Sequence, residues 1–417
     1  MFTLALKSLY NRKFTTILTV ASIALSVMML LGVERIRNEA KNSFTSTISG
    51  TDLIVGARTG PVQLLLYSVF RIGNATNNIS WQSYQDIAGN PNVKWTIPIS
   101  LGDSHQGYRV MGTNTDYFEH FRFAGGHELE MSAGDIFAGV FDAVLGADVA
   151  DVLGYELGDE MIIAHGAGKV SFVKHDDKPF SVVGVLKRTG TPVDQTVHVQ
   201  LEGIEAIHID WQGGTRVPGL SISAEKALQM ELSPKAITAF MVGLKSRIAA
   251  FAFQRHVNQY PHEPLLAILP GVALQELWDL ISIAEKALLV VSGFVVLIGL
   301  CGMLLALMTS LNERRREMAI LRSVGARPWH VFALIVGESG LLTVAGVSVG
   351  IGLLYGFLVA SQTIILSNFG IFIAISGLSA YELLLVLVIC LAGIIIGIIP
   401  GYRIYRYSLA DGMTIRI

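Results

Sequence analysis

Four runs of apolar residues, each long enough to cross a lipid bilayer, dictate what this 417-residue chain can fold into. They occupy residues 15–33, 286–310, 330–360 and 381–400. A helix of about 20 apolar residues spans the hydrocarbon layer and satisfies its own backbone polar groups there. The first run is longer than the apolar region of a secretory signal and no small-residue cleavage site follows it, so we interpret it as an uncleaved span. The sequence therefore predicts four transmembrane helices.

The region between the first and second spans, residues 34–285, has the composition of a water-exposed domain. Residues 178–186 have a strand pattern, and residues 141–154 a strand that leads into a short helix closed by Gly154. The whole chain is 52% hydrophobic and 15% charged, which suits neither a soluble protein nor one packed wholly into lipid. The predicted fold class is an α-helical membrane protein with four transmembrane helices and a large α+β domain between helices 1 and 2.

The helical pattern continues past the membrane at both ends of this domain. Residues 34–42 follow the first span and residues 274–284 precede the second, and both keep an apolar stripe at helical spacing. These flanking segments are predicted to form stalk helices that belong to the outer domain.

The charge distribution predicts which side of the membrane each loop occupies. Residues 1–14, 311–330 and 401–417 carry net charges of +3, +3 and +2, whereas residues 15–310 carry −8. Lys and Arg accumulate on the cytoplasmic side. We therefore place an amphipathic segment (1–14), a coupling segment (311–329) and a tail (401–417) in the cytoplasm, and a short loop (361–380) outside. The overall charge of −2 gives no reason to expect nucleic acid as a partner.

The segment between the second and third spans has the properties of a docking element. Each arginine would cost about 2.5–3.5 kcal/mol in lipid, so residues 312–328 lie in water. They are rich in helix formers, with Gly325 as a C-cap and Pro328 after it. We predict that the following residues couple the chain to a partner protein, with the charges setting register, Ile320 and Leu321 filling a groove, and Gly325 fixing the turn into the third span: Glu313, Arg314, Arg315, Arg316, Glu317, Ile320, Leu321, Arg322 and Gly325.

Polar and small residues inside the spans are candidates for packing and gating. Glu338 is ionisable and lies early in the third span, where such groups usually face the bundle interior or water. Glycines four residues apart let helix backbones approach closely, within one bundle or across a dimer. The glycines with this spacing that we assign to packing are Gly346, Gly350, Gly352, Gly356, Gly393 and Gly397.

Motifs for catalysis fail on inspection. Residues 165–170 contain two glycines and a lysine but lack the first glycine and the Ser or Thr of a phosphate-binding loop. Residues 346–350 match G-x-S-x-G but lie in an apolar span with no strand before them. The two cysteines, Cys301 and Cys390, lie in apolar runs. We assign no catalytic or cofactor-binding residue to this chain.

Histidines concentrate in the outer domain without a metal-binding motif. Nine of the ten lie there, at positions 105, 120, 127, 165, 175, 198, 208, 256 and 262. There is no H-x-x-x-H spacing and no cysteine pair. Surface or core histidines are favoured, no metal ligand is assigned, and a zinc-linked role stays as an alternative.

The assembled features resemble the FtsX-like permease family, of the MacB and lipoprotein-releasing type. The resemblance rests on the order of one span, a large outside domain and three spans, and on the coupling segment 312–328. It rests further on Glu338 with Leu341 and Leu342, and on local matches in the outer domain and at the exit of the fourth span. These matches are residues 145–146, 153–154, 158–159, 182–185, 194–199 and 400–406.

The resemblance implies a permease subunit in the bacterial inner membrane that transmits ATPase-driven motion to its periplasmic domain. It implies a separate ABC-type ATPase that binds ATP and Mg²⁺, a second permease copy or paralogue, and a possible periplasmic lipoprotein or membrane-fusion partner. The cargo would be a periplasmic or membrane-embedded substrate such as a lipoprotein, peptide or drug. The alternatives are a signalling permease that regulates a periplasmic enzyme or partner, and a metal-linked envelope system.

Overall fold

The computed structural model describes residue 10 and residues 12–166, 175–212, 215–216, 222–369 and 376–406. Two compact units account for the chain. One comprises residues 1–39, 282–368 and 373–417, and the other comprises residues 40–281 with 369–372. The predicted segments 1–14, 361–380 and 401–417 lie partly outside the described residues.

The first unit is built from long helices. Among the described residues, four helices are long and apolar enough to cross a membrane, with candidate spans Lys13–Glu39, Pro270–Leu311, Pro328–Gln362 and Ala380–Tyr405. They belong to α1 (Lys13–Ser46), α9 (Pro270–Ser323), α10 (Pro328–Phe369) and α11 (Ala380–Tyr405). The helix α1 continues unbroken through residues 34–42, and α9 through residues 274–284. The assignment of these segments as stalks of the outer domain stays a prediction.

The second unit, named the outer domain below after its predicted position (residues 40–281), is a mixed sheet covered by short helices. The helices are α2 (Pro61–Ser68), α3 (Trp81–Ala88), α4 (Asp116–His120), α5 (Ala147–Leu153), α6 (Leu201–His208), α7 (Ala224–Ala227) and α8 (Ala250–Asn258). Two 3₁₀ turns, Pro192–Gln195 and Arg247–Ala249, connect elements.

Its main sheet has 11 strands within the described part of the chain, in the order β17-β1-β16-β3-β4-β12-β8-β11-β7, with β10 beside β3 and β9 beside β11. These strands are β1 (Leu53–Ala57), β3 (Val93–His105), β4 (Tyr108–Thr113), β7 (Met131–Gly134), β8 (Asp142–Leu145), β9 (Glu160–Met161), β10 (Ala164–His165), β11 (Phe180–Leu186), β12 (Thr196–Gln200), β16 (Ala239–Leu244) and β17 (Leu265–Ile268). The pairs β12–β4 and β11–β8 are parallel and the others antiparallel. Small ladders join β2 (Ile79–Ser80) to β15 (Ala236–Ile237), β5 (Arg122–Phe123) to β6 (His127–Glu128) and β13 (Trp211–Gln212) to β14 (Thr215–Arg216).

Local sequence patterns located several of these elements correctly. The predicted strand at 178–186 is β11, whose buried residues alternate along its length as a strand with one face on a core requires. The strand-to-helix pattern at 141–154 is β8 followed by α5, and Gly154 ends α5 in the left-handed conformation with φ 71°. Glycine is favoured there because it has no Cβ to clash with the preceding turn.

The helices of the first unit approach each other at glycines. A methyl group on Gly346 would lie 2.6 Å from Ile23, and one on Gly350 would lie 2.7 Å from the carbonyl oxygen of Ala24. Similar groups on Gly393 and Gly397 would overlap the side chains of two hydroxyl residues of α10, Thr343 and Ser339. In contrast, methyl groups on Gly352 and Gly356 would meet nothing within 4 Å among the described residues.

A buried arginine connects α1 to α10 and to the residues just before α11. Arg35 is only 3% exposed and donates to the hydroxyl of Tyr355 at 3.1 Å and to Oγ of Ser376 at 2.6 Å. It also lies over the ring of Tyr355. Ser379 and Glu382 form a capping box that starts α11, so Glu382 has a local structural role.

Candidate functional site

The predicted coupling segment ends in a tight turn between two long helices. The last helical residue of α9 is Ser323, and Gly325 has φ 100°. The amide of Ala326 donates to the carbonyl of Leu321 at 3.0 Å and that of Gly325 to the carbonyl of Arg322 at 3.1 Å. This is the Schellman arrangement, which satisfies helix-terminal carbonyls and needs a left-handed residue.

The next helix starts with its own cap. The ring Nδ1 of His330 accepts from the amide of Arg327 at 3.1 Å, and Pro328 occupies the first turn, where its missing N–H costs nothing. The turn between α9 and α10 is thus only four residues long, 324–327. Its path is defined by backbone hydrogen bonds at both ends.

The apolar residues near this turn divide between the helical bundle and solvent. Leu321 packs against a cluster that includes Leu311, Val331 and Ile404, whereas Ile320 is 57% exposed and Val324 is 83% exposed. Only part of Leu321 is therefore available to a partner, and Val324, which the sequence analysis did not select, is the more exposed apolar residue. The side chains of Glu313, Arg314, Arg315, Arg316 and Glu317 lie outside the described residues, and the contact roles of all nine residues stay predictions.

The intramembrane acid lies inside the helical unit. Glu338 is 1% exposed on α10, and the hydroxyl residues Ser339 and Thr343 beside it on that helix are fully buried. This position agrees with a group that faces the bundle interior. Its gating role stays a prediction.

Four residues that are far apart in sequence converge in the outer domain, and no spacing in the sequence marks any of them as functional. Asp103, His165, His175 and His208 each offer one ligand atom, and these atoms lie within 4.8 Å of one another. Asp103 and His165 are cross-strand partners of β3 and β10. His208 ends α6, and His175 precedes β11.

The polar contacts of this histidine cluster centre on one carboxylate. His165 Nδ1 lies 3.1 Å from Oδ1 of Asp103, and His208 Nε2 lies 3.6 Å from the same oxygen. The two imidazole nitrogens are 3.3 Å apart. Trp211 covers the group, with its ring centroid 4.6 Å from His175 and 5.5 Å from His165.

The protein environment shifts the pKa values of two of these imidazoles in opposite directions. The hydrogen bond to Asp103 raises the pKa of His165, because the carboxylate favours the protonated ring. Burial lowers the pKa of His175 to about 4, with His208 adding to the effect. His175 is therefore neutral at physiological pH.

Other histidines of the outer domain have structural roles. His105 contacts the carbonyl of Ile162 at 2.7 Å and the hydroxyl of Tyr155 at 3.0 Å. His198 is fully buried in β12, donates from Nδ1 to the carbonyl of Val144 at 3.2 Å, and packs on Tyr117. These two agree with the core histidines that the sequence analysis favoured.

We expect His198 to make the outer domain less stable in acid. Burial, with Arg71 as a second cause, lowers its pKa to about 3 from an ordinary 6.5. Below pH 6.5 the unfolded chain gains a proton that the folded chain does not, so stability present above pH 6.5 is lost progressively as pH falls. At pH 5 the loss is about 2 kcal/mol. His198→Asn should lack this component of the loss when urea unfolding of the full chain in detergent is compared at pH 7.5 and pH 5. An equal loss in both proteins would contradict the assignment.

Comparison with known proteins identifies the class. In chain order, the described residues contain one candidate span, a mixed-sheet domain and three further candidate spans. Residues 16–259 match the model of the MacB-like periplasmic core domain, and residues 289–409 match the FtsX-like permease C-terminal model. These matches cover more than half of the chain, which therefore belongs to the FtsX-like permease family with a MacB-like periplasmic core. The family resemblance and the fold class predicted from the sequence are confirmed.

One curated relative and two solved structures illustrate the similarity. The chain is 22% identical over 223 residues to the lipoprotein-releasing system transmembrane protein LolC of Neisseria meningitidis serogroup B, covering 52% of this chain and 49% of LolC. The chain thus spans about half the length of that relative. The periplasmic region of MacB from Actinobacillus actinomycetemcomitans aligns with 10% identity and a TM-score of 0.34, over 55% of this chain and 94% of MacB's region. The extracellular domain of the noncanonic ABC-type transporter YknZ from Gram-positive bacteria aligns with 13% identity and a TM-score of 0.30, over 52% and 99%.

Proposed function

We propose that this chain is the permease subunit of an ABC transporter that transmits the motion of a separate ATPase to a periplasmic domain. The observation that carries the proposal is the length of α9. It runs without interruption from Pro270, two residues after the last strand of the sheet, to Ser323, beside the predicted coupling turn. A continuous hydrogen-bonded helix passes a displacement of one end to the other better than a jointed segment does.

The short turn supports this role. A partner that pushes on residues 324–327 acts on α9 and α10 together, because backbone hydrogen bonds and a proline hold both helix ends at the turn. The partner is an ABC-type ATPase that holds ATP and Mg²⁺, so this chain needs no cofactor of its own and performs no catalysis.

The remaining features of the proposal follow from family membership and charge. The chain lies in the bacterial inner membrane with both termini in the cytoplasm, and it works with a second permease copy or a paralogue. Its cargo is a periplasmic or membrane-embedded molecule such as a lipoprotein, peptide or drug, handed to a periplasmic lipoprotein or membrane-fusion partner. The similarity to a lipoprotein-releasing protein favours a lipidic cargo.

A photo-crosslinking amino acid at Ile320 or Val324 should capture the ATPase in native membranes. Both side chains are exposed at the turn, and apolar residues in the centre of an interface commonly carry much of its binding energy. Mass spectrometry of the crosslinked product should identify a protein with a phosphate-binding loop. Ile320→Asp should then reduce the ATPase that co-purifies with the permease at least about tenfold.

Ile248 provides a matched control for this experiment. It is an equally branched residue, 93% exposed, and belongs to the outer domain. The crosslinker at Ile248 should not capture the ATPase, and Ile248→Asp should leave co-purification unchanged. Undiminished co-purification with Ile320→Asp, or capture of the ATPase from Ile248 instead, would contradict the proposed docking site.

A further inference from the structure

We propose that Asp103, His165, His175 and His208 bind one divalent transition-metal ion of the zinc class. The proposal concerns the outer domain alone and does not depend on what the transporter carries. All four residues belong to the unit formed by residues 40–281. Three imidazoles and one carboxylate form a donor set typical of zinc and its neighbours, since hard cations such as calcium and magnesium prefer oxygen ligands.

The spacing of the ligand atoms fits a tetrahedral ion. Zinc binds histidine nitrogen and carboxylate oxygen at about 2.0–2.2 Å, which places two ligands of a tetrahedron about 3.3 Å apart. The separations between Oδ1 of Asp103, Nδ1 of His165 and Nε2 of His208 are 3.1, 3.3 and 3.6 Å. These three atoms therefore already form one face of such a tetrahedron.

The burial of His175 without a hydrogen-bond partner also points to a bound ion. Its side chain is 1% exposed, and neither ring nitrogen has a hydrogen-bond partner among the described residues. Burial of a polar group without a partner is costly, and buried polar atoms in native proteins are almost always satisfied. Coordination of an ion by one ring nitrogen would satisfy that atom, since three other ligand atoms lie within 4.8 Å of it.

The supporting contacts orient the ligands in the way that metal sites require. A backbone carbonyl can only accept, so Nδ1 of His208 donates to the carbonyl of Ile204 at 2.9 Å and the lone pair of its Nε2 points to the cluster. The antiparallel pairing of β10 with β3 places His165 directly opposite Asp103. The ligands are thus held by a strand pair and by a helix end.

An ion can reach this site from solvent. The side chain of His165 is 42% exposed. Gly102 and Gly166, the chain neighbours of Asp103 and His165, line a cavity of about 460 Å³. A second group of possible ligands, Asp116, Glu119 and His120, comes entirely from one short helix, and His120 is not among the buried unpartnered groups of the described residues, so we assign no ion to it.

Metal titration of the full chain tests the site. The protein is purified in detergent with a tag that contains no histidine, stripped with a chelator, and titrated with Zn²⁺ and with Co²⁺. We expect one Zn²⁺ per chain and the visible absorption bands of tetrahedral Co²⁺. His165→Ala and His208→Ala should each weaken Zn²⁺ binding by at least about 100-fold. His165 is the safer variant, since its exposed side chain contributes little to the core.

Two exposed histidines of the same domain serve as controls. His256→Ala and His262→Ala should bind Zn²⁺ as the unmodified chain does. Saturating Zn²⁺ should raise the unfolding temperature of the unmodified chain by about 5 °C or more and leave that of His165→Ala unchanged. Equal Zn²⁺ affinity in the cluster variants and the control variants would overturn the proposal, because the ion would then be bound elsewhere on the surface.

Trp211 provides a readout located at the site itself. Its ring lies 4.6–5.8 Å from the rings of His165, His175 and His208, so bound Co²⁺ or Cu²⁺ should quench its fluorescence. The quenching should disappear in Trp211→Phe, which keeps all four ligands, while the Zn²⁺ stoichiometry stays at one. Quenching that persists in Trp211→Phe would place the ion near another tryptophan and would also overturn the assignment.

Discussion

Replacing Lys178 by methionine is expected to destabilise the outer domain by about 3–5 kcal/mol. Lys178 and Asp210 are both fully buried, and Nζ of Lys178 lies 3.1 Å from Oδ1 of Asp210. Nζ also lies 3.0 Å from Oδ2 of Asp177. The variant removes the ammonium group that neutralises a carboxylate deep in the domain, and the desolvation cost of that carboxylate then opposes folding.

The double variant Lys178→Met with Asp210→Asn separates charge from packing. It removes both charges at nearly constant volume, and such neutral replacements of buried ion pairs cost much less than removal of one partner. Urea unfolding of the full chain in detergent, followed by tryptophan fluorescence, should show a large loss of stability for the single variant and recovery of most of it in the double variant. A single variant as stable as the unmodified protein would contradict the buried ion pair.

The position of this ion pair matters for the neighbouring histidine cluster. The amide of Lys178 donates to the carbonyl of His175, and Asp210 directly precedes Trp211. The ion pair between Lys178 and Asp210 therefore connects the segment that contains His175 to the end of α6, where His208 lies. A variant that breaks it is expected to weaken Zn²⁺ binding as well, although neither residue is a proposed ligand.

The membrane part of this fold could be predicted because its determinants are local. Length and apolarity alone locate a candidate span. The orientation inferred from Arg and Lys in the loops stays a prediction. The turn after α9 could also be predicted, because a glycine followed by a proline after a helical pattern is a local signal. The exposure of Ile320 and the burial of part of Leu321 could not be predicted, because they depend on where α10 and α11 pack.

The histidine cluster could not be found from spacing for a related reason. Its ligands come from β3, from β10, from the segment before β11 and from α6, and only the sheet topology brings them together. A zinc motif is recognisable in sequence when its ligands lie on one hairpin or helix. The available signal was the concentration of nine of ten histidines in one domain, which does not say which of them meet.

The spacing of glycines on α10 likewise does not show which of its faces packs against another helix. Gly352 lies six residues beyond Gly346, which at about 100° per residue puts it about 240° around the axis of α10. Both satisfy the four-residue spacing rule, but in the part of the chain that the structure describes α1 covers the face with Gly346 and Gly350 and not the face with Gly352. The spacing identifies candidate faces, and the position of the neighbouring helix selects one of them.

Gly350→Val is therefore expected to be far more damaging than Gly352→Val. A methyl group on Gly350 would lie 2.7 Å from the carbonyl oxygen of Ala24 and 3.2 Å from its Cα, so the backbones of α1 and α10 must separate. Overpacking of this kind costs about 1–3 kcal/mol, and more where the obstructing atoms belong to a backbone. Gly352→Val adds the same β-branched residue to the same helix and meets nothing within 4 Å, so it controls for helix propensity.

The comparison is made on the two full-length variants in detergent. Each is heated through a series of temperatures, and the fraction that still elutes as monodisperse protein on size exclusion is measured. Gly350→Val should lose half of this fraction several degrees below the unmodified protein, with Gly352→Val close to the unmodified value. Equal losses in the two variants would mean that Gly352 is also packed, against a second copy of the chain, and that the close approach of α1 to Gly350 does not determine the stability of the bundle.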